Sequence, residues 1–179
     1  MTNVLKTLFC LAVLTSCCPA RVISGLTDED FITKHGIFVH PQKNLVSPIQ
    51  IETALDYSKD YITSRFSDVY TVEDIDDVYA NDIHVYVRDS SFYCLVMKKD
   101  ELEWVTCSGY FISRRVEYVN EDCIADTSFV HELIHLMNYW VEDYVDREHT
   151  RSGFFGSGAG SMLYDVNLEL EEIFCPNCW

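Results

Sequence analysis

The chain has 179 residues, of which 29 are acidic and 13 are basic, and its formal net charge at pH 7 is −16. A surface this acidic repels phosphate backbones and anionic lipid headgroups, so the composition argues against nucleic acid as a partner. The length suits one domain built around one sizeable core.

The N-terminal segment has the features of an export signal. One lysine precedes an apolar run at residues 7–14, which is too short to span a bilayer as a stable anchor. The sequence Leu14-Thr15-Ser16-Cys17 resembles the lipobox of bacterial lipoproteins, in which cleavage leaves the cysteine as an acylated first residue. The resemblance implies a lipoprotein-type signal peptide at residues 1–16, lipidation of Cys17 and a membrane anchor in the periplasm or at the cell surface. Secretion after cleavage near Ala20 is the alternative.

The rest of the chain predicts one α+β domain with a small mixed sheet, a backing helix and no repeats. Residues 17–35 are predicted to be a linker, and residues 36–179 form the domain. In chain order we predict a strand at residues 36–40, a helix from Ser47-Pro48 to Phe66, a strand at residues 82–87, a hairpin between Cys94 and Cys107, a strand at residues 110–112, a short edge strand at residues 116–119, a helix at residues 128–141 and a final helix at residues 166–174.

Several polar groups in the first half of the domain are predicted to be structural. The acidic run at residues 73–77 lacks the glycine and the terminal glutamate of an EF-hand loop, so we expect a solvated acidic face. His40 and His84 lie in strand-like surroundings, where a histidine is more often structural than a ligand. His35, beside Gly36, is expected in a solvent-exposed loop.

The cysteines indicate an oxidising compartment. If Cys10 leaves with the signal and Cys17 carries lipid, an even number remains, namely Cys18, Cys94, Cys107, Cys123, Cys175 and Cys178. A hairpin that turns at Asp100-Glu101 would place Cys94 directly opposite Cys107, close enough for a disulfide. Cys123 would then pair with Cys175 or Cys178. The lone C-terminal CxxC is weak evidence for a redox or zinc-knuckle site.

The most informative motif is His131-Glu132-Leu133-Ile134-His135. Residues four apart on a helix share one face, so both imidazoles can bind one metal ion. Glu132 follows the first histidine directly, and its carboxylate can reach a water on that metal. Asp126-Thr127-Ser128 supplies a helix N-cap cluster just before the motif.

The stretch from about Asp126 to Tyr164 resembles the zincin metallopeptidases, whose active-site helix carries this pentapeptide. The resemblance implies that His131 and His135 bind Zn²⁺ and that Glu132 polarises the attacking water. It also implies hydrolysis of peptide bonds in a peptide or protein substrate. The metzincin extension, with glycine and histidine shortly after the second histidine, is missing here.

The third metal ligand must come from elsewhere. His149 is the one histidine that follows the motif, at a distance that allows the chain to reverse, and we predict that it is the ligand. The motif with its acidic turn and this histidine is also similar to short secreted bacterial zincin-like proteins. Carboxylates remain as alternatives, namely Glu169, Glu171 and Glu172 in the final helix and Asp143, Asp146 and Glu148 after the motif.

A glycine-rich loop at residues 153–164 closes on Met162-Leu163-Tyr164 and resembles a weak form of the metzincin Met-turn. The resemblance would make Met162 a residue beneath the metal and Tyr164 a catalytic hydrogen-bond donor. A flexible loop followed by a core methionine is the alternative reading.

Several other polar groups compete for supporting roles. Tyr164, Tyr144 or Arg151 would stabilise the oxyanion, and the sequence does not choose among them. Asp126, Asp143 and Asp165 are available to hold the outer imidazole nitrogens.

Two functions of different classes follow from the sequence. The first is a zinc-dependent peptidase in which Glu132 is the general base and then the general acid. The second is a catalytically inactive, lipid-anchored binding or assembly protein that keeps the fold. The sequence identifies no subsite residues and therefore no peptide preference.

Overall fold

The computed structural model describes residues 26–98, 101–120, 124, 128–144, 146 and 149–175. The predicted signal peptide, Cys17 and Cys18 lie outside these residues, as do Cys123 and Cys178. The elements in chain order are β1 (Phe31–Ile32), β2 (Phe38–Pro41), α1 (Pro48–Arg65), α2 (Val72–Tyr79), β3 (His84–Arg88), β4 (Phe92–Lys98), β5 (Glu101–Cys107), β6 (Gly109–Ile112), β7 (Arg115–Val119), α3 (Phe129–Glu142), α4 (Ser152–Phe155) and α5 (Met162–Phe174).

The main sheet is mixed and has the strand order β1-β2-β3-β7-β6. Strands β2, β3 and β7 run parallel, whereas β1 and β6 are antiparallel to their neighbours. Its inward side chains are fully buried and are mostly β-branched, which suits a covered sheet face. They include Val39, Val85, Val87, Val116 and Tyr118.

The prediction of an edge strand at residues 116–119 is wrong. Strand β7 lies between β3 and β6, and its last four residues are all buried. Even Glu117 is only 5% exposed, because Arg88 and Arg115 bind its carboxylate. The edge position belongs to β6, which pairs with β7 alone among the described strands.

Strands β4 and β5 form a separate two-stranded sheet, the hairpin β4–β5. The predicted disulfide between Cys94 and Cys107 is present, with a Cα–Cα distance of 6.1 Å. The predicted register is wrong, because Cys94 pairs with Val105 and Cys107 pairs with Phe92. Since Lys98 pairs with Glu101, the bridge joins diagonal neighbours on one face of the hairpin.

The helices pack on the sheet and on each other, with α3 in contact with β6, β7, α2 and α5. The predicted first helix is confirmed as α1, with Ile51, Ala54, Leu55 and Ile62 buried. Helix α3 is buried along most of its length, which fixes its orientation beneath the sheet edge. The fold is therefore α+β, as predicted.

Helix α2 was not predicted, because its sequence is mostly acidic and its apolar face is short. Thr71 caps it and accepts a hydrogen bond from the backbone N–H of Asp74, while Asp74 bonds back to the N–H of Thr71. This capping box is the sequence signal for the start of the helix. Ile75, Val78 and Tyr79 are buried, and Glu73, Asp76 and Asp77 are exposed as expected.

Three further differences concern the segments between elements. Part of the predicted linker joins the main sheet, since β1 pairs with β2. His35 is not a solvent-exposed loop residue, because its Nε2 lies 2.9 Å from Asp56 and its ring packs edge-on against Tyr79. Helix α5 begins at Met162, about one turn earlier than predicted, because the Ser161 side chain caps it.

None of the helices within the described residues is long and apolar enough to cross a membrane.

A buried hydroxyl gives a test of the core. Tyr118 is fully buried against Phe129, and its hydroxyl has no hydrogen-bond partner in the described structure. An unpaired buried polar group costs about 1–3 kcal/mol. We therefore expect Tyr118→Phe to raise the free energy of unfolding by about 1 kcal/mol, measured by urea denaturation followed by circular dichroism.

Tyr79→Phe is the matched control, because the buried Tyr79 hydroxyl donates to the carbonyl oxygen of Leu55 at 3.2 Å. Losing that bond should lower the free energy of unfolding by about 1 kcal/mol. Equal destabilisation by both variants would contradict this account of the core.

Candidate metal centre

Helix α3 brings the two histidines of the motif together. Their Nε2 atoms lie 3.2 Å apart, and the rings are nearly perpendicular. His135 is 8% exposed and His131 is half-buried. The spacing of four residues on a helix therefore brings the two imidazoles together, as the sequence predicted.

His149 reaches the same point from the irregular segment after α3. Its Nε2 lies 3.2 Å from Nε2 of His135, and its ring centroid is 4.6 Å from that of His131. The ligand atoms of the three histidines all lie within 4.8 Å of one another. Within the described residues this is the one cluster of three or more metal-ligating groups with such spacing. We refer to these residues as the histidine triad.

The donor set fits Zn²⁺. Bonds of about 2.1 Å in a tetrahedral arrangement place two ligand nitrogens roughly 3.4 Å apart, close to the spacing in the triad. Burial, together with the repulsion from neighbouring histidines, lowers the pKa of His131 and of His135 to about 4. Both imidazoles are therefore neutral at pH 7 and have nitrogen lone pairs available for a cation.

A buried carboxylate holds the turn that carries His149. Asp146 is fully buried, and its two oxygens accept hydrogen bonds from the backbone N–H groups of Thr150 and Arg151 at 3.0 and 2.8 Å. The Thr150 hydroxyl donates a third bond at 3.0 Å. Burial alone would raise the pKa of Asp146, but these bonds outweigh it and hold the pKa below its ordinary value.

The same turn is joined to the end of α3. The Arg151 guanidinium donates to Glu142 at 2.6 Å, and the Tyr70 hydroxyl bonds the same carboxylate. That hydroxyl also lies 2.6 Å from Oδ1 of Asn138, one turn after His135. The hydrogen bonds among Arg151, Glu142 and Tyr70 hold the turn against α3. Within this turn His149 has a φ of 52° and so adopts the left-handed backbone conformation.

Glu132 lies beside the triad and is 6% exposed. Its carboxylate makes no hydrogen bond or ion pair with any described residue, and burial raises its pKa to about 8. Gly109 on β6 leaves room for this side chain, since a Cβ at that position would lie 2.5 Å from Oε1 of Glu132. The carboxylate is therefore free to bind a water or a substrate.

A cleft of about 550 Å³ opens between the hairpin β4–β5, strand β6 and helix α3. Glu132 and His135 line it on the helix side. The apolar part of its lining includes Leu95, Val96, Leu102, Phe111, Ile112 and Tyr139. The cleft thus joins a nonpolar groove to Glu132 and to one histidine of the triad.

Two aromatic residues at the site were missed by sequence reasoning. Phe155 packs against all three histidine rings, with centroid distances of 4.5–5.1 Å. It is held there because its neighbour Phe154 is buried and stacks on Phe66 at 4.3 Å. Tyr139 lines the cleft one turn after His135 on the same helix face, and this i+4 spacing was the available sequence signal.

The remaining predicted residues lie away from the triad or outside the described structure. Arg151 is bound to Glu142, and Asp165 accepts from the Tyr61 hydroxyl at 2.9 Å. Tyr164, 41% exposed, has no side-chain hydrogen bond or ring contact with the triad, and its catalytic role stays a prediction. Met162 is fully buried in the core. The other candidates beyond the cluster are Tyr144, Asp143, Glu169, Glu171 and Glu172.

Some predictions fall on residues that the structure does not describe. Asp126 and Glu148 are among them, and their proposed roles stay predictions. Cys175 is disulfide-bonded, which agrees with the expectation that it is oxidised. Cys123, which was predicted to pair with Cys175 or Cys178, lies outside the described residues, as does Cys178.

Asp146 provides a test of the metal centre. In Asp146→Asn the carboxylate that binds two backbone N–H groups becomes an amide, which should loosen the turn and displace His149. Losing such support for a ligand typically lowers metal affinity about 10- to 100-fold, and we expect a loss of that size for Zn²⁺. Competition with a chromogenic chelator measures it.

Asp143→Asn is the matched control. Asp143 is exposed at the end of α3 with a φ of 53°, a conformation that asparagine adopts readily. Its zinc affinity should equal that of the parent. Equal affinity of the Asp146→Asn variant and the parent would show that the turn does not position a ligand.

Comparison of the chain with known protein families, with curated proteins and with solved structures finds no match to any of the three. The function must therefore be argued from the site itself, since an α+β architecture alone specifies no activity.

Proposed function

We propose that this protein is a zinc-dependent peptide hydrolase of the zincin type. The observation that carries the proposal is the convergence of three imidazoles beside a buried carboxylate that has no partner among the described residues, at one side of an open cleft. His131, His135 and His149 would hold the ion. When bound, Zn²⁺ would lower the pKa of a water toward about 7 and polarise a carbonyl group.

Glu132 is the general base in this proposal. Glu132 lines the cleft one residue after His131, and its carboxylate, which has no partner among the described residues, would accept a proton from the attacking water. The same group can then donate that proton to the leaving amine. Burial raises the pKa of Glu132, which makes its ionised form a stronger base for the first step, and a bound cation would favour that ionised form.

Strand β6 supports a peptide as the substrate. It borders the cleft through residues 109–112, and among the described strands it pairs on one side only. Its free edge can hydrogen-bond an extended backbone, as exposed sheet edges do when they bind peptides. Such binding would place a peptide bond along the groove that contains Glu132.

Export with a lipid anchor at Cys17 is part of the proposal. It is supported by the apolar N-terminal run and the lipobox-like tetrapeptide. The disulfides of Cys94, Cys107 and Cys175 are consistent with an oxidising compartment. The enzyme would then act on peptides or proteins in the periplasm, at the cell surface or, if secreted, outside the cell.

A second candidate function is a lipid-anchored binding or assembly protein without turnover. The observation in its favour is Trp104, which is 69% exposed on the hairpin β4–β5. A large exposed aromatic residue of this kind is common at protein interfaces. In this alternative the metal would stabilise the fold without hydrolysis.

Glu132→Gln separates the two functions. The glutamate is not a predicted ligand, so the parent and the variant should each bind one Zn²⁺ per chain by elemental analysis. Hydrolysis of quenched peptides should fall by about 10²- to 10⁴-fold in the variant, the usual contribution of general acid–base catalysis. A chelator should abolish the parent's activity.

Three outcomes would count against the proposed peptidase mechanism. Equal hydrolysis by both proteins would remove Glu132 from the mechanism. Failure of both proteins to bind zinc would remove the metal, whereas zinc binding without hydrolysis would favour the binding protein.

Gly109 gives an independent test of the geometry of Glu132. In Gly109→Ala the new methyl group meets the Glu132 carboxylate and the side chain of Ser128, so the base must shift. We expect kcat to fall by at least about 10-fold, because small displacements of a catalytic group are costly. Zinc stoichiometry should not change.

Gly158→Ala is the control, since a Cβ at Gly158 meets no atom within 4 Å. Its kcat and its free energy of unfolding should match those of the parent. A Gly109→Ala variant with parental kcat would contradict the proposed position of Glu132.

A further inference from the structure

We propose that the hairpin β4–β5 selects the substrate and that the cleft accepts an extended polypeptide with a large apolar side chain next to the scissile bond. The inference deepens the proposed function and rests on it. It assigns a specificity role to Leu102 and Leu95, which the sequence did not place near the site.

The chemistry of the lining supports an apolar side chain. Among the described lining residues Glu132 is the only carboxylate, and none is a lysine or an arginine. A charged substrate side chain in this groove would lose water without gaining an ionic partner, apart from any contact with Glu132 itself. An apolar side chain would instead cover Leu95, Leu102 and Ile112, which favours binding by burial of nonpolar surface.

Leu102 has the exposure expected of an unfilled subsite. It is 62% exposed although it lines the cleft, and Ile112, across the groove on β6, is 52% exposed. Leu95 is half-buried and pairs with Trp104 across the hairpin. Nonpolar residues on both walls would therefore contact one inserted side chain from two directions.

The hairpin is linked to strand β6, which borders the cleft beside Glu132. The disulfide joins Cys94 to Cys107, two residues before Gly109, which contacts Glu132. The Tyr110 hydroxyl also donates to the carbonyl oxygen of Leu95 at 3.3 Å. The disulfide therefore braces the hairpin internally, and the bond from Tyr110 links β6 to the hairpin. Together they hold the apolar wall, formed by Leu95 and Leu102, in place beside the strand that contacts the general base, as a specificity pocket requires.

The substrate chain is a better occupant of this wall than a bilayer. The apolar residues continue directly into the cleft beside Glu132, where a peptide would lie along the free edge of β6. The net charge of −16 also opposes approach to an anionic membrane surface.

Peptide hydrolysis and peptide binding together test the inference. The substrates are quenched peptides that differ at a single residue, on one side or the other of the scissile bond. At that position Leu, Phe, Ser, Asp and Lys are compared. We expect kcat/KM for Leu or Phe at one of these positions to exceed that for Asp or Lys by about 10- to 100-fold, the gain expected from burying one such side chain. The Kd of the same peptides is measured on Glu132→Gln by fluorescence anisotropy.

Leu102→Ser should reduce this preference several-fold in both measurements. Tyr93→Ser is the matched control, because Tyr93 is 77% exposed on the same face of the hairpin but does not line the cleft. It should leave kcat/KM, Kd and the preference unchanged. Both residues are exposed, so neither substitution should prevent folding.

The outcomes distinguish the two proposals. If peptides are hydrolysed without an apolar preference, the role of the apolar wall is overturned. The same holds if Leu102→Ser does not change the preference. In both cases the peptidase proposal is unaffected. No hydrolysis, but binding of apolar peptides that depends on Leu102, overturns the peptidase and supports the wall. Neither hydrolysis nor binding of any peptide overturns both.

Discussion

The candidate site depends on the hydrogen bonds that Asp146 makes to the turn after α3. Helix geometry alone delivers His131 and His135, but the third imidazole comes from an irregular segment in which His149 has a positive φ. A buried carboxylate that accepts bonds from Thr150 and Arg151 makes this conformation stable, because breaking the turn would leave a charge buried without partners. The pair of Arg151 with Glu142 then joins the turn to the helix that carries the other two imidazoles.

Burial shifts the two kinds of titratable group at the site in opposite directions. It raises the pKa of Glu132 and lowers the pKa of His131 and of His135, because in each case the charged form loses hydration. The result is that His131 and His135 are neutral nitrogen donors beside a carboxyl group that holds its proton more tightly. Phe155 contributes to this environment by packing against all three imidazoles. An apolar surrounding of this kind strengthens the electrostatic influence of a bound cation on neighbouring groups.

Local patterns in the sequence identified most of the regular structure. Serine and proline before an apolar periodic run marked the start of α1, and alternating residues marked β3. Where the prediction failed, long-range pairing decided the outcome. Strand β7 is central because β3 pairs with it on one side and β6 on the other. A run of four residues does not show how many partner strands it has or on which side they lie. In the hairpin β4–β5 the strands likewise pair in a register that is not centred between Cys94 and Cys107, and the spacing of the two cysteines does not reveal this offset.

For the site, the sequence by itself determined the pair of histidines and the glutamate, because the periodicity of a helix fixes which of its residues share a face. It also predicted His149 as the third ligand, although several carboxylates remained as alternatives. Only the tertiary structure decided that His149 meets the pair, that Phe155 and Tyr139 border it, and that the hairpin β4–β5 forms the far wall of the cleft. These contacts join residues far apart in the chain, and their distances are set by the packing of α3, α4 and β6, which no local pattern encodes.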